Sequence, residues 1–140
     1  MPVNSDVQTS RTMPVTNYDP ERAPNPREWL ALPEQDRIRL VKMYHSGARI
    51  KVPGAEAHAM FHAIVENQIA EAHAPTCRTV ERLQREGLNR HDAIHAVGLV
   101  IAEFMYDAMK GSSAASGDSA QAELDAKVEA LNARAWREGR

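Results

Sequence analysis

The chain has 140 residues and a formal net charge of −2, and 43% of its residues are hydrophobic, 26% are charged and 5% are aromatic. A chain of this length usually forms one domain, and so few aromatic residues argue against a β-sandwich. The balanced charge argues against the basic surface of a nucleic-acid-binding domain, so we expect no nucleic-acid partner.

Cysteine content and hydropathy indicate the compartment. Cys77 is the single cysteine of the chain, so no intrachain disulfide is possible. No apolar run approaches the roughly 20 residues that cross a bilayer. The first residues also lack the apolar segment of a signal peptide. The sequence therefore predicts a cytoplasmic protein that does not insert into a membrane.

Residues 1–27 are predicted to form a mobile N-terminal arm. They are polar, contain five of the eight prolines and show no sustained periodicity. Such segments are typically poorly ordered, because they cannot bury enough apolar surface. Residues 28–110 are predicted to form a helical domain.

Four helices are predicted in this domain from apolar periodicity and terminal signals. The first covers about 33–46, and Pro33 suits a first helical position because its missing N–H costs nothing there. His45, near the end of this helix, is interpreted as structural, since a charged imidazole favours the negative end of a helix. The last begins at Asn89, a good N-cap residue. The three later helices cover about 55–72, 75–87 and 89–110.

The C-terminal part of the chain is predicted to add one more helix. Residues 111–118 are a flexible linker by composition, and residues 119–140 form an amphipathic helix. Its narrow apolar stripe needs a partner surface, which is either the chain's own core or another chain. The stripe consists of Leu124, Val128, Leu131 and Ala135. The predicted fold is all-α, a small antiparallel bundle of four to five helices with a disordered N-terminal arm.

A homodimer is also expected. An ordered domain of about 80 residues is often only marginally stable alone. The predicted helix over 55–72 is moreover apolar around much of its circumference, which favours a second copy as its partner.

Four of the six histidines form two pairs with the same spacing. The stretch "AHAMFHAIVENQ" places His58 and His62 four residues apart, and "RHDAIHAVG" does the same with His91 and His95. Residues four apart lie on one face of a helix, and in both helices the pair lies at an edge of the apolar face. In the second helix, Gly98 and Ala102 lie along the same edge as its two histidines. Such small residues let another helix approach closely.

If the two helices pack along these edges, their imidazoles converge and predict a transition-metal site. The candidate ligands are His58, His62, His91 and His95, with Glu66 as a further ligand or as a group that orients His62. His91 lies in the first turn of its helix, where the helix dipole disfavours a positive charge. Neutral imidazole binds zinc, iron or nickel, so one of these ions is the expected cofactor.

Two other interpretations stay open. In the first, the protein is a non-enzymatic interaction or structural module whose histidines only satisfy helix packing. In the second, a His–Glu pair forms a metal-free acid–base site. The histidine spacing lacks the adjacent glutamate of the zinc-protease helix, so the sequence does not identify catalytic residues or decide whether the protein is an enzyme.

Three stretches resemble a bacterial family known only as a domain of unknown function: "WLALPEQDRIRLVKMYH", "AHAMFHAIVENQIA" and "VERLQREGLNRHDAIHAVGLVIAEFMYD". The resemblance covers about residues 28–108. Members typically have a His-Ala-x-x-His-x-x-x-Glu-Asn-Gln helix followed by an Arg-His-x-Ala-x-His-Ala helix. The chain departs from the pattern at Gly54, where Asn is expected. The resemblance implies a shared site at the signature positions His58, His62, Glu66, Asn67, Gln68, His91 and His95, without naming its chemistry.

Overall fold

The computed structural model of the protein describes residues 15–47, 54–111 and 117–139. Within these residues the chain forms seven helices and no strand, which confirms the predicted all-α class. We label the helices α1 (Pro26–Ala31), α2 (Glu34–Gly47), α3 (Ala55–Ala70), α4 (Ala74–Arg85), α5 (Arg90–Met109), α6 (Asp118–Glu129) and α7 (Ala133–Glu138). None of the described helices is both long and apolar enough to span a bilayer.

Local sequence signals explain where the central helices begin and end. The side chain of Asn89 accepts a hydrogen bond of 2.8 Å from the Asp92 amide, so Asn89 caps α5 as predicted. Gly87 separates α4 from α5 with a φ of 110°, a conformation that side chains rarely adopt. The resulting tight turn lets α4 and α5 pack against each other.

Two elements differ from the predicted helices. A short helix, α1, precedes α2, and Asn25 caps it by accepting a hydrogen bond from the Glu28 amide. The predicted C-terminal helix over 119–140 is broken into α6 and α7. The break occurs because Asn132 adopts an extended backbone and accepts a 2.8 Å hydrogen bond from the Ala135 amide, which starts a new helix.

Helix α3 is the centre of the molecule. It packs against α1, α2, α4 and α5, so that one side faces a core containing Trp29 and Val41 and the other faces a core containing Leu83 and Ile94. Much of its apolar circumference is therefore covered within the chain, although Ala57 is exposed and Phe61 is only half-buried. This weakens one of the two reasons for expecting a homodimer, which stays a prediction.

The N-terminal segment before α1 packs on the helices from residue 15 onward. Tyr18 is only 7% exposed, and Pro20 is fully buried. The ring of Tyr18 lies 5.5 Å from that of Trp29, centroid to centroid. Tyr18 and Pro20 of the predicted arm are thus packed on the helices, while the mobility of the arm stays a prediction. Residues 1–14 of that arm, like residues 112–116 of the predicted linker, lie outside the described residues.

The C-terminal helices dock on the chain's own core. Helix α6 packs against α4 and α5, and Leu124 and Val128 join the same core cluster as Leu83. Arg82 reinforces this contact by donating hydrogen bonds to the carbonyl oxygens of Glu129 and Leu131 near the end of α6. Of the two partners considered for the apolar stripe, the chain itself is the one found.

The docking of α6 can be tested with one buried position and a matched exposed control. Val128 is 1% exposed, so V128D places an unpaired carboxylate in the core and should lower the free energy of unfolding by about 2 kcal/mol or more. A126D adds the same charge at an exposed position of the same helix and should change it by less than about 0.5 kcal/mol. Urea unfolding followed by circular dichroism measures both. Equal, small effects would mean that α6 is not docked.

Candidate metal centre

Three helices bring five histidines together. His45 lies on α2, His58 and His62 lie on α3, and His91 and His95 lie on α5. Because α3 packs against both α2 and α5, the histidine-bearing edges of the three helices face one another. The helices α3 and α5 lie close together at Gly98, where an added Cβ would be 3.7 Å from the carbonyl oxygen of Phe61, an ordinary van der Waals distance. The predicted packing of the two histidine pairs is thus present.

The imidazole rings are close enough to share one ion. One ligand nitrogen from each of His45, His62, His91 and His95 lies within 4.8 Å of the others. The predicted ligand His58 lies outside this group of four, and its Nε2 atom is 3.1 Å from the Nε2 atoms of both His45 and His95. The rings of His91 and His95 are only 4.1 Å apart, centroid to centroid. We call these five side chains the histidine cluster.

His45 is a member of the cluster that the sequence did not predict. It is 5% exposed, and its Nδ1 atom lies 2.9 Å from the Val41 carbonyl oxygen. A carbonyl only accepts, so Nδ1–H is the donor, and a neutral His45 ring keeps a bare Nε2 that faces His58. His45 thus contacts the backbone of its own helix, as the structural interpretation expects, and it also belongs to the group of histidines that could hold an ion. Its position one turn after Val41, on the apolar face of α2, was the signal that could have identified it.

A chain of buried groups orients His62. The Tyr18 hydroxyl donates a hydrogen bond to Glu66 Oε2, and the same hydroxyl oxygen lies 2.7 Å from His62 Nε2. Since the phenol proton is directed at the carboxylate, His62 Nε2–H is the donor to the Tyr18 oxygen. The neutral His62 ring then has a bare Nδ1, and that atom is buried without a hydrogen-bond partner. A buried nitrogen without a partner can accept a bond from a water molecule or bind an ion.

Glu66 does not lie among the ligand nitrogens. Its carboxylate forms a two-pronged ion pair with Arg90, with Nη1–Oε2 and Nη2–Oε1 distances of 2.8 and 2.9 Å. Glu66 is 1% exposed and Arg90 is 7% exposed. Of the two roles predicted for Glu66, orientation of His62 matches the geometry, and it acts through Tyr18. Neither Tyr18 nor Arg90 was predicted, because each reaches Glu66 from a distant part of the chain.

Burial keeps histidines of the cluster neutral. Burial and then the neighbouring histidines, His95 first, lower the pKa of His62 well below its ordinary value. Burial and then His45 lower the pKa of His91 to about 4, although Asp92 and Asp19 oppose the shift. Burial and His45 lower the pKa of His58 as well. A neutral ring is the form that binds metals.

Two nitrogen spacings in the histidine cluster are close to those around a transition-metal ion. For metal–nitrogen bonds of 2.0–2.1 Å, neighbouring ligands are about 3.3 Å apart in a tetrahedron and about 2.9 Å apart in an octahedron. The two 3.1 Å spacings at His58 fall between these values. Opposite ligands of an octahedral ion are about 4.1 Å apart, whereas the ligand nitrogens of the other four rings lie within 4.8 Å of one another. Binding of one ion would therefore require these side chains to move inward.

Comparisons of this chain with protein-family models, with curated proteins and with solved structures find no match.

The first prediction for this site concerns the ion pair. E66Q keeps the shape of the side chain but leaves the Arg90 charge uncompensated in the core, so it should lower the free energy of unfolding by about 3 kcal/mol or more. E71Q makes the same change at an exposed position of the chain and should have little effect. Urea unfolding at pH 7 compares the two. Similar midpoints for both variants would contradict the pairing.

The second prediction concerns pH. His62 and His91 have folded-state pKa values below the ordinary 6.5, so the unfolded chain binds more protons between the two values. Stability is then highest above pH 6.5 and falls as the pH drops, in the case of His91 down to about 4. Urea unfolding of chelator-treated protein between pH 7.5 and 5 measures the slope above the range where ordinary carboxylates titrate.

H91N should make this slope shallower, because asparagine cannot take up the proton. H73N is the matched control, since His73 lies outside the cluster and pairs with Asp125 at 2.9 Å. A wild-type stability that rises on acidification through this range would contradict the neutral state of the buried rings.

Proposed function

We propose that the protein binds one divalent transition-metal ion per chain through its histidine cluster. The observation that carries the proposal is the set of ring nitrogens that the fold brings together without satisfying. His62 Nδ1 and His91 Nε2 are buried and have no hydrogen-bond partner. A bound ion would satisfy both, and a neutral imidazole offers it a lone pair.

The crowding around His58 supports the same function. Its Nε2 lies 3.1 Å from two other Nε2 atoms, and a single nitrogen carries at most one proton. In neutral rings, a single linear hydrogen bond at His58 Nε2 can therefore involve His45 or His95, but not both. An ion at the centre would be attracted to all three lone pairs at once, at spacings that suit its coordination shell.

The donor set indicates the class of ion. Imidazole nitrogen suits zinc, iron and nickel, whereas calcium and magnesium require oxygen ligands. No carboxylate belongs to the group of ligand atoms found among the described residues, since that group consists of histidines only. The carboxylate of Glu66, which was predicted as a further ligand, is paired with the guanidinium of Arg90. The proposed cofactor is therefore zinc, iron or nickel.

A structural role without metal is the competing function. Histidines that only satisfy helix packing normally use both ring nitrogens in hydrogen bonds, because a buried unsatisfied group costs about 1–3 kcal/mol. The two unsatisfied nitrogens count against that role, and so does the grouping of five rings where apolar side chains would pack at lower cost.

The proposal predicts about one zinc, iron or nickel ion per chain in protein purified without a His tag, as measured by elemental analysis. Chelator-treated protein should take up about one equivalent of Co²⁺, which serves as a spectroscopic probe of nitrogen ligands. H45A and H95A should each lower the metal affinity at least tenfold, since second-sphere changes alone already reach that size. H73A, which alters a histidine outside the cluster, should keep full stoichiometry.

Circular dichroism of each variant separates the two functions. Helical, folded H45A with reduced Co²⁺ binding supports metal binding. Wild-type protein that takes up no Co²⁺, together with loss of folding in H45A and H95A, would establish the structural role and contradict the proposal.

A further inference from the structure

An open groove lies beside the histidine cluster. It has a volume of about 420 Å³ and runs between α3 and α5, with Trp136 of α7 at one wall. Three members of the cluster, His58, His62 and His95, contribute to its lining. A volume of this size is within the range of small-molecule binding sites, so a ligand in the groove would be in reach of the ion.

The rest of the groove is uncharged. Apart from the three histidines, its lining consists of apolar side chains and glycine, and no Asp, Glu, Lys or Arg contributes to it. The apolar members are Ala57, Phe61, Ile94, Leu99, Ala102 and Trp136. This wall favours an apolar ligand body and offers no counter-charge to a charged one.

The groove walls are uncharged, but the ion proposed at its histidine-lined end would carry two positive charges. Neutral imidazoles leave both positive charges of a divalent ion uncompensated, because a histidine ligand contributes none. The carboxylate of Glu66 is already paired with Arg90, and the acidic groups that act on the cluster, Asp19 and Asp92, do so at His91, which does not line the groove. An anionic donor arriving through the groove would be the closest compensating charge.

From this arrangement we infer that the groove binds a small organic monoanion, a carboxylate with a short apolar chain, whose anionic group contacts the metal ion. The inference rests on the proposed metal-binding function. The apolar chain lies along α3 and α5, and the carboxylate lies at His58 and His95. Apolar contact with the groove and attraction to the ion act on one molecule. A hydrocarbon group alone or a carboxylate alone therefore binds less tightly.

The test uses protein loaded with Co²⁺ and titrated with hexanoate, with the cobalt absorption spectrum and calorimetry as readouts. Hexanoate should change the cobalt spectrum and bind at least tenfold more tightly than acetate, which lacks the chain. It should also bind at least tenfold more tightly than hexanol, which lacks the charge. Chelator-treated protein should bind hexanoate at least tenfold more weakly than the cobalt form.

A groove-filling variant locates the binding site. Ala102 lines the groove and is half-buried, so A102F should lower hexanoate affinity at least tenfold while Co²⁺ still binds. A108F adds the same ring at an exposed position of α5 outside the groove and should leave the affinity unchanged.

The outcomes separate the two proposals. Failure of the wild-type protein to bind Co²⁺ overturns the proposed function before any carboxylate is added. Cobalt binding without a spectral response to hexanoate, equal affinity with and without metal, or unchanged affinity in A102F overturns the groove inference alone. Association of two copies through the groove would appear as a dimer that hexanoate does not dissociate, and it too overturns the inference.

Discussion

The buried ion pair between Glu66 and Arg90 is the interaction on which the geometry of the histidine cluster depends. Its two hydrogen bonds, at 2.8 and 2.9 Å, join α3 to the first residue of α5. Arg90 Nη1 also donates to the Pro20 carbonyl oxygen, so the same guanidinium holds the N-terminal segment. With α5 anchored at its first turn, His91 is placed opposite His62. A buried pair of this kind adds little net stability, but it specifies one arrangement of the three chain segments.

Helices α3 and α5 also pack closely near the other end of the histidine cluster, where His58 and His95 lie. At Gly98 the two helices lie close together, and an added Cβ would be 3.7 Å from the Phe61 carbonyl oxygen. On the same two helices, the Nε2 atoms of His58 and His95 are 3.1 Å apart. A buried histidine in such a contact destabilises the fold unless its ring nitrogens are satisfied. The fold therefore places imidazole rings where apolar side chains could pack, and it leaves His62 Nδ1 and His91 Nε2 without a hydrogen-bond partner.

The sequence was informative wherever a feature depended on neighbours within one helix. The i,i+4 spacing placed both histidine pairs on the correct faces, and Asn89 located the start of α5. The features that sequence reasoning missed depend on distant partners. Tyr18 lies in a polar, proline-rich segment with no periodicity, and only the tertiary fold brings it to Glu66. His45 had a sufficient local explanation as a helix end, and that explanation concealed its position one turn beyond buried Val41. The break at Asn132 was missed because an apolar stripe continues across it.

The path from Arg90 through Glu66 and Tyr18 to His62 links the N-terminal segment to the cluster. Burial, followed by the charge of Glu66, raises the pKa of Tyr18, so its hydroxyl keeps the proton that it donates to Glu66. That proton fixes the direction of the next hydrogen bond and makes His62 Nε2 a donor. With Tyr18 docked, His62 Nδ1 is thus the bare nitrogen of a neutral ring. The proposed ion, bound at Nδ1, would favour the tautomer that Tyr18 selects, and by reciprocity it would favour the docked segment. Docking of residues 15–20 and binding of the ion would then be coupled, although no residue of that segment belongs to the group of ligand atoms.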